Sequence, residues 1–221
     1  MKQGVAGIRE KLNRIRSPKP TTVKKTVIST VIVFFIGAGL GIFQKWIESF
    51  GLDSTVWWHR IIETLDLGNF FSELAIWLLL ALIIAVFSAS PLRAALKVFV
   101  FFAGMCVAYH LGSILFAGFN PSSYMMIWYG ITLSSPFLAA ICWYAKGPGV
   151  VSIILDILII MIFTLACFGI GFFYVTYRGI LFLLTFVAVP VVLYKSPKQI
   201  LISLPVGFLL AYPVSPLWPF G

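Results

Sequence analysis

The sequence predicts an all-α fold, a bundle of six to seven membrane-spanning helices with its N-terminus in the cytoplasm. Of 221 residues, 61% are hydrophobic and only 10% are charged, and the mean hydropathy is +1.04. A soluble domain is nearer half apolar and a quarter charged, so a water-soluble core of this length would not hide so much apolar surface. Long apolar runs recur along the chain, separated by short polar or charged stretches. We therefore expect one transmembrane domain, residues 26–221, lying in the plasma (cytoplasmic) membrane behind a tail of residues 1–25.

The tail of residues 1–25 is basic, and we expect it to contact anionic lipid on the cytoplasmic side. Val5, Ile8, Leu12 and Ile15 fall on one helical face, the pattern of an amphipathic helix lying on the inner leaflet. A disordered, positively charged anchor accounts for the same residues equally well. The net charge of +9 does not indicate a nucleic-acid partner. About half of the basic residues lie in this tail and the rest mark segment ends, as topology signals do.

Seven apolar segments follow, and the positive-inside rule orients them. They cover residues 27–43, 72–87, 95–116, 124–145, 150–174, 179–194 and 200–217. Several are shorter than the roughly 20 residues that cross a bilayer, and the last contains three prolines, so it either spans or re-enters. With the N-terminus inside, five basic residues fall on the cytoplasmic side and three fall outside. The five are Arg93, Lys97, Lys146, Lys195 and Lys198; the three are Lys45, Arg60 and Arg178.

Three Ser-Pro pairs lie at the predicted inner ends of segments: Ser17-Pro18, Ser90-Pro91 and Ser196-Pro197. Serine is favoured at the N-cap of a helix, and proline is favoured at the first helical position. The three pairs therefore predict three helix starts.

The one sizeable loop, residues 44–71, is predicted to form an external amphipathic segment. Trp57, Trp58, Ile61 and Ile62 fill one helical arc together with Leu65, and the opposite side carries His59, Arg60, Glu63 and Asp66. We expect a helix lying flat on the outer leaflet with aromatic anchors. The alternative is that Trp57, Trp58, Ile61 and Ile62 form a docking platform for a partner.

Two ionisable residues, His110 and Asp156, fall deep within apolar segments, where charge is costly and marks a functional candidate. Small residues share a helical face with His110, which predicts that this face packs against protein and not lipid. That face consists of Ala103, Cys106, Ser113 and Ala117. In the first segment Gly37 and Gly41 offer another small surface for helix packing.

A discontinuous polar path is predicted from these positions. At 1.5 Å per residue, Thr132 lies at about the depth of His110, and Asp156 lies roughly 10 Å further inward. Ser134 and Ser135 fall between them, beside Pro136, which removes a backbone donor and kinks the helix. His110, Thr132, Ser134, Ser135 and Asp156, with Ser113, are therefore the predicted path for a proton, ion or small polar solute. The opposing interpretation is that His110 and Asp156 only join helices through hydrogen bonds.

These residues favour a small-solute or ion transporter, or the membrane subunit of a multicomponent transport system. The chain has no ATP-binding motif, so active transport would need an ion gradient or a separate energising subunit. A non-catalytic scaffold that docks a partner is the alternative. An intramembrane enzyme built on Ser113 and His110 is third, because no nucleophile elbow accompanies them. The three cysteines have no metal-ligand spacing, and we predict neither metal nor cofactor.

Overall fold

The structure is a computed structural model that describes residues 2–49, 51, 53, 55–171 and 173–219. Ten helices and one short hairpin follow one another along this part of the chain. They are α1 (Lys2–Ile15), α2 (Val23–Glu48), α3 (Trp57–Thr64), α4 (Leu67–Ser72), α5 (Leu74–Val86), α6 (Pro91–Ala117), α7 (Ser122–Trp143), α8 (Val150–Cys167), β1 (Phe168–Ile170), β2 (Val175–Tyr177), α9 (Ile180–Leu193) and α10 (Pro197–Val214). The molecule is therefore consistent with the predicted all-α class, apart from the hairpin.

Five helices are long and apolar enough to cross a membrane: α2, α6, α7, α8 and α10. The apolar helices α5 and α9 have 13 and 14 residues. At 1.5 Å per residue they are each about 20 Å long, which is less than the roughly 30 Å hydrocarbon layer. The chain is thus a membrane protein by the length and composition of its helices. The predicted count of six to seven spans depends on α5 and α9.

The fifth apolar segment does not remain helical to residue 174, as its composition would allow. Helix α8 ends at Cys167, and Phe168 takes extended backbone angles. Strands β1 and β2 then pair antiparallel, and the Gly171 N–H donates to the Tyr174 carbonyl at 2.9 Å to close the turn. Glycines at 169 and 171, between aromatic and β-branched residues, favour this extended hairpin over further helix.

Helix α5 lies at the centre of the bundle, with α2, α6 and α7 on one side and α8, α9 and α10 on the other. Trp77 and Ala85 belong to the hydrophobic cluster that α5 shares with α6 and α7. Leu79, Leu82 and Val86 belong to the cluster that it shares with α8 and α9. All five side chains are at most 7% exposed. Every residue of this short helix is buried or half-buried, so protein covers most of its surface.

Glycines set the close approach of α2 to α6. A Cβ atom on Gly37 or Gly41 would collide with the backbone carbonyls of Phe101 and Met105, and one on Gly104 would lie 2.6 Å from the Phe34 carbonyl oxygen. Such small-residue contacts are the usual means by which membrane helices pack tightly. The structure therefore places Gly37 and Gly41 in a helix–helix contact.

Two of the three Ser-Pro pairs begin helices, and the third does not. Ser90 and Ser196 are N-caps whose hydroxyls accept the backbone N–H of Arg93 and Gln199, each at 3.3 Å. The prediction for Ser17 is wrong, because α2 begins only at Val23, capped by Thr22. Pro20 lies between Ser17 and that helix, and a proline there stops a helix from running through the tail. Helix α1 itself is present, but Val5 and Ile8, on which its predicted membrane face depends, have side chains outside the described residues.

Charges divide between the two ends of the bundle. At one end, here called the basic end, the Arg16 guanidinium donates to the Val86 carbonyl at 2.9 Å and Arg93 donates to the Thr21 carbonyl at 3.1 Å. Segments at the basic end contain thirteen of the sixteen Lys and Arg residues and two of the seven acidic residues. The opposite end, here called the acidic end, contains three basic and five acidic residues. By the positive-inside rule the basic end is the one expected to face the cytoplasm.

Helix α10 runs from the basic end to the acidic end without turning back. Pro205 and Pro213 lie within it, and it remains helical from Pro197 to Val214. Beyond it, Ser215 and Trp218 line a recess together with hairpin residues such as Thr176. The last apolar segment therefore traverses the bundle beside α8.

Candidate functional site

The most deeply buried charge in the described part of the molecule is Asp156, at the centre of a polar group that we call the Asp156 cluster: Ser152, Asp156, Lys195 and Gln199. The Asp156 side chain is fully buried, and its Oδ2 atom lies 2.7 Å from Lys195 Nζ and accepts a hydrogen bond of 2.7 Å from Gln199 Nε2. Ser152 and Gln199 are 0% and 4% exposed. The cluster is thus a nearly dry ion pair with polar side chains around it.

Oxygen atoms surround the Lys195 ammonium. In addition to Asp156 it donates to the hydroxyl of Ser152 and to the carbonyl of Ala145 at 2.7 Å, and it lies 3.5 Å from the Gly147 carbonyl. An ammonium group has three N–H donors, and these acceptors satisfy all of them. The lysine side chain remains 21% exposed, so it is the member of the ion pair that reaches the basic end of the molecule.

Helical spacing brings these groups together. Ser152 and Asp156 are four residues apart on α8 and therefore share one face. Helix α10 presents a buried stripe at four-residue steps, Gln199, Ser203 and Gly207, and Gly207 approaches the Ile157 carbonyl of α8 so closely that a Cβ would lie 2.8 Å from it. This contact fixes the distance between α8 and α10, and Gln199 consequently meets Asp156.

The second carboxylate oxygen of Asp156 has no hydrogen-bond partner. Oδ1 is buried and unpaired, whereas Oδ2 has two donors. A buried acceptor without a donor costs roughly 1–3 kcal/mol, and more when the group is charged. The Asp156 cluster therefore keeps one acceptor available in a place where proteins normally satisfy every polar atom.

A second polar group lies at the acidic end; we call it the Glu48 cluster. The Glu48 carboxylate accepts hydrogen bonds from Gln44 at 3.0 Å, Ser72 at 3.2 Å and the Tyr109 hydroxyl at 2.7 Å, and it lies 3.4 Å from Lys45 Nζ. Both of its oxygens thus have donors, unlike those of Asp156. The Glu48 cluster ties α2 to α4 and α6 and has no comparable free acceptor.

His110 lies beside α7 but does not meet Thr132. Its Nδ1 atom is 2.7 Å from the Tyr129 hydroxyl, and both side chains are partly exposed at the outside of the α6–α7 contact. The neighbouring positions on the predicted small face, Cys106 and Ser113, are buried, whereas Ala103 is half-buried and Ala117 is exposed. His110 is therefore at the edge of the protein-facing side of α6, paired with an aromatic hydroxyl.

The other predicted path residues are bonded locally. The Thr132 hydroxyl is 3.3 Å from Cys106 Sγ, Ser135 donates to the Thr132 carbonyl at 2.8 Å, and exposed Ser134 donates to the Gly130 carbonyl at 2.9 Å. The structure places none of these three in a hydrogen bond with the Asp156 cluster. One hydrogen bond, from Ser135 to Thr132 within α7, joins two of the predicted path residues, and the predicted positions are not connected into one polar path.

An apolar crevice of about 130 Å³ lies between α5, α6, α7 and α8. Ser135 is the polar residue among those that line it; the others are apolar, for example Leu82, Phe102 and Phe163. Ser135 directs its hydroxyl to its own helix. The space next to the predicted path is therefore suited to hydrocarbon and not to a hydrated ion.

A serine–histidine nucleophile does not form between Ser113 and His110. Ser113 is fully buried and donates to the Tyr109 carbonyl at 2.9 Å, while the His110 ring faces Tyr129. Within the described ranges, no three His, Cys, Asp or Glu side chains come together at a spacing that would hold a metal ion.

The segment of residues 44–71, predicted to be external, contains a short helix with one face turned inward. Ile62 and His59 of α3 are 8% and 9% exposed, whereas Trp57 and Ile61 are 68% and 46% exposed. His59, expected on the solvated side, is instead buried, and its Nδ1 accepts the Asp53 N–H at 2.9 Å. Trp58 stacks on Trp46 with ring centroids 6.0 Å apart. Trp57 and Ile61 are therefore the members of the predicted docking set that are open to membrane or partner.

Sequence reasoning identified Asp156 but missed Lys195, Gln199 and Ser152 as its partners. Lys195 was assigned to topology alone, as basic residues at helix ends usually are. The sequence contains one pattern that could have indicated these partners. Two pairs of polar residues, Ser152 with Asp156 and Gln199 with Ser203, are each spaced four residues apart within an apolar helix. A scan of protein-family models and searches of curated proteins and of solved structures each found no match for this chain.

Proposed function

We propose that this membrane protein is a transporter, or the membrane subunit of a multicomponent transport system, and that the Asp156 cluster is its ion- or solute-binding site. One observation carries the proposal: a fully buried carboxylate in an apolar helix retains an unpaired oxygen and is neutralised by a lysine that reaches the exterior. Ionisable groups are rare within membrane helices and are typical of ion and proton pathways.

In this arrangement a proton or a small cation can replace the Lys195 ammonium at the Asp156 carboxylate. When a proton or a small cation binds the Asp156 carboxylate, the attraction that holds Lys195 weakens. Lys195 then keeps its bonds to the Ala145 carbonyl and Ser152, or turns toward the basic end through its exposed edge. Because Lys195 lies in the loop between α9 and α10, binding of a cation at Asp156 is coupled to the conformation of this loop. Active transport would need an ion gradient or a separate energising subunit, because the sequence has no nucleotide-binding motif.

The test uses the purified full chain, first in detergent and then in proteoliposomes. We expect wild-type thermal stability to depend on pH or on Na⁺ or K⁺, and we expect proton or cation flux in vesicles. Asp156→Asn should abolish both dependences. Thr164→Val is the matched control, since Thr164 is buried on the same helix and donates only to its own helix at the Ile160 carbonyl. If Asp156→Asn and wild type respond alike to pH and cations, the proposed site is wrong.

A scaffold function is the second candidate, and one observation favours it. The exposed Trp57 and Ile61 lie on one face of α3 at the acidic end, where a partner subunit could pack. Copurification of a stoichiometric partner that is lost on replacing both residues with serine would support docking. Leu92→Ser, at an apolar position that is 82% exposed at the basic end, is the control. Equal loss in both variants would point to general aggregation and would contradict a docking role for α3.

A further inference from the structure

The apolar crevice reaches toward the basic end of the molecule, where Arg16 and Lys146 lie, and we call this end its mouth. Two of its lining residues, Ala85 and Cys142, are the last but one residues of α5 and α7. The carbonyls of the next residues, Val86 and Trp143, both accept hydrogen bonds from the guanidinium of Arg16. Arg16 therefore bridges the ends of α5 and α7, two of the four helices that form the crevice walls.

Arg16 has capacity left for a ligand. The guanidinium has five N–H donors, of which the two carbonyls use two, and its Cζ atom lies 4.2 Å from the centre of the Trp143 ring. Partial burial lowers the pKa of Arg16, which indicates that its charge is partly removed from water. The two carboxylates at the basic end form ion pairs with other residues: Glu10 with Arg14, and Asp156 with Lys195.

Lys146 adds a second cation at the same mouth. It lies near enough to both Arg16 and Lys195 to interact with them electrostatically, and the acidic group that acts on it is Asp156, whose Oδ2 already binds Lys195. Its ammonium donates to the Tyr194 carbonyl at 3.0 Å and lies 5.5 Å from the centre of the Phe87 ring. Phe87 directly follows α5 and is 66% exposed. Arg16, Lys146 and Lys195 thus place more positive than negative charge at this end of the crevice.

An apolar crevice with surplus positive charge at its mouth, at the end expected to face the cytoplasm, has the two features of a phospholipid site. A dry cavity of about 150 Å³ lined by Leu, Ile and Phe holds a benzene-sized apolar group, so the 130 Å³ crevice has room for part of an acyl chain. Basic pockets between membrane helices on the cytoplasmic side bind anionic head groups. A phosphate is also the partner that a guanidinium recognises best.

We propose that the chain binds one anionic phospholipid, with an acyl chain in the apolar crevice and the head-group phosphate between Arg16 and Lys146. The basic tail, expected from its composition to meet anionic lipid in general, would thereby contribute one specific contact at its C-terminal end. This inference does not depend on the transport proposal, because it uses neither Asp156 nor an ion gradient.

The experiment measures lipid binding to the purified, delipidated full chain by native mass spectrometry and by thermal stabilisation. The probes are phosphatidylglycerol and phosphatidylcholine with identical acyl chains, and inorganic phosphate. We expect one phosphatidylglycerol to be retained and to raise the melting temperature, with a smaller effect of phosphatidylcholine and none of phosphate. Equal stabilisation by the two lipids, or full stabilisation by phosphate alone, would overturn the proposal.

Four variants locate the site. Arg16→Gln, which keeps two donors but loses the charge, should weaken phosphatidylglycerol binding about tenfold or more. Arg16→Lys, which keeps the positive charge, should retain most of the phosphatidylglycerol binding. It serves as the control for the effect of substitution at this position. Lys24→Gln removes an exposed charge at the basic end away from the mouth and should weaken binding by less than about fivefold. Ala81→Phe, which fills the crevice, should weaken both lipids. If Arg16→Gln matches Lys24→Gln, or if Ala81→Phe has no effect, the specific site is excluded.

Discussion

The ion pair between Asp156 and Lys195 predicts an unequal response to the loss of its two members. Asp156 is fully buried, whereas the lysine side chain is 21% exposed and has other acceptors. Lys195→Met leaves a carboxylate buried without a cation, which costs about 3–5 kcal/mol. Asp156→Asn leaves a lysine that still donates to the Ala145 carbonyl, and the amide oxygen can still accept from Gln199. Its cost should therefore be about 1–2 kcal/mol.

Thermal unfolding in detergent measures this difference directly. For a chain of this length, 1 kcal/mol corresponds to about 2–4 °C in melting temperature, so Lys195→Met should lower it by about 6–20 °C and Asp156→Asn by about 2–8 °C. Two of the three free cysteines provide the assay, because Cys106 and Cys167 are buried and react with a thiol dye only on unfolding.

A double variant and a pH series complete this test. Removing both charges in Asp156→Asn/Lys195→Met should recover most of the stability that Lys195→Met loses. The loss in Lys195→Met should also shrink as the pH falls, because a protonated Asp156 no longer carries the buried charge. If Asp156→Asn is the more damaging single change, or if the double variant is no better than Lys195→Met, the unpaired carboxylate is not the source of the cost.

Three further predictions follow from other parts of the structure. Gly37→Leu should separate α2 from α6 and destabilise the protein by about 1–3 kcal/mol, whereas Gly39→Leu, with open space around it, should have little effect on unfolding. Hydrogen bonds from the Thr55 hydroxyl and backbone N–H lower the pKa of Asp53, so its contribution is present at neutral pH and is lost as the pH falls below about 4. Hydrogen exchange in residues 55–64, corrected for intrinsic rates, should therefore rise on acidification in wild type but already be high at pH 7 in Asp53→Asn. Ser196→Ala removes the N-cap of α10 and should cost about 1 kcal/mol in thermal unfolding; an unchanged melting temperature would contradict that role.

Much of the architecture could be predicted from the sequence because lipid imposes simple rules. The apolar composition alone indicates a membrane protein. Because backbone polar groups inside hydrocarbon must be paired within the protein, it also indicates helices. The division of charges between two ends followed from counting lysines and arginines along the segments. The N-caps at Ser90 and Ser196 followed from local chemistry, in which a hydroxyl accepts a nearby backbone N–H.

The features that the sequence did not predict depend on how the helices are rotated and spaced against one another. His110 is four residues from Cys106, which rotates it about 40° around α6 at 100° per residue. That rotation is sufficient to move it from the buried face to the edge of the α6–α7 contact, where Tyr129 is its partner. The pairing of Asp156 with Lys195 depends on the close approach of α8 and α10 at Gly207, which no local pattern specifies.

The orientation of the Lys195 side chain distinguishes a lysine that serves only as a topology signal from one that belongs to the Asp156 cluster. Lysines near the ends of membrane helices normally extend toward water, because the ammonium is strongly hydrated. Lys198, three residues further along, is exposed in this way. Lys195 turns inward instead and binds a fully buried carboxylate, so the attraction of Asp156 must exceed the loss of hydration. An interaction that is balanced against hydration in this manner responds to anything that neutralises the carboxylate, and this sensitivity is the physical basis for proposing Asp156 as the point at which a proton or cation acts.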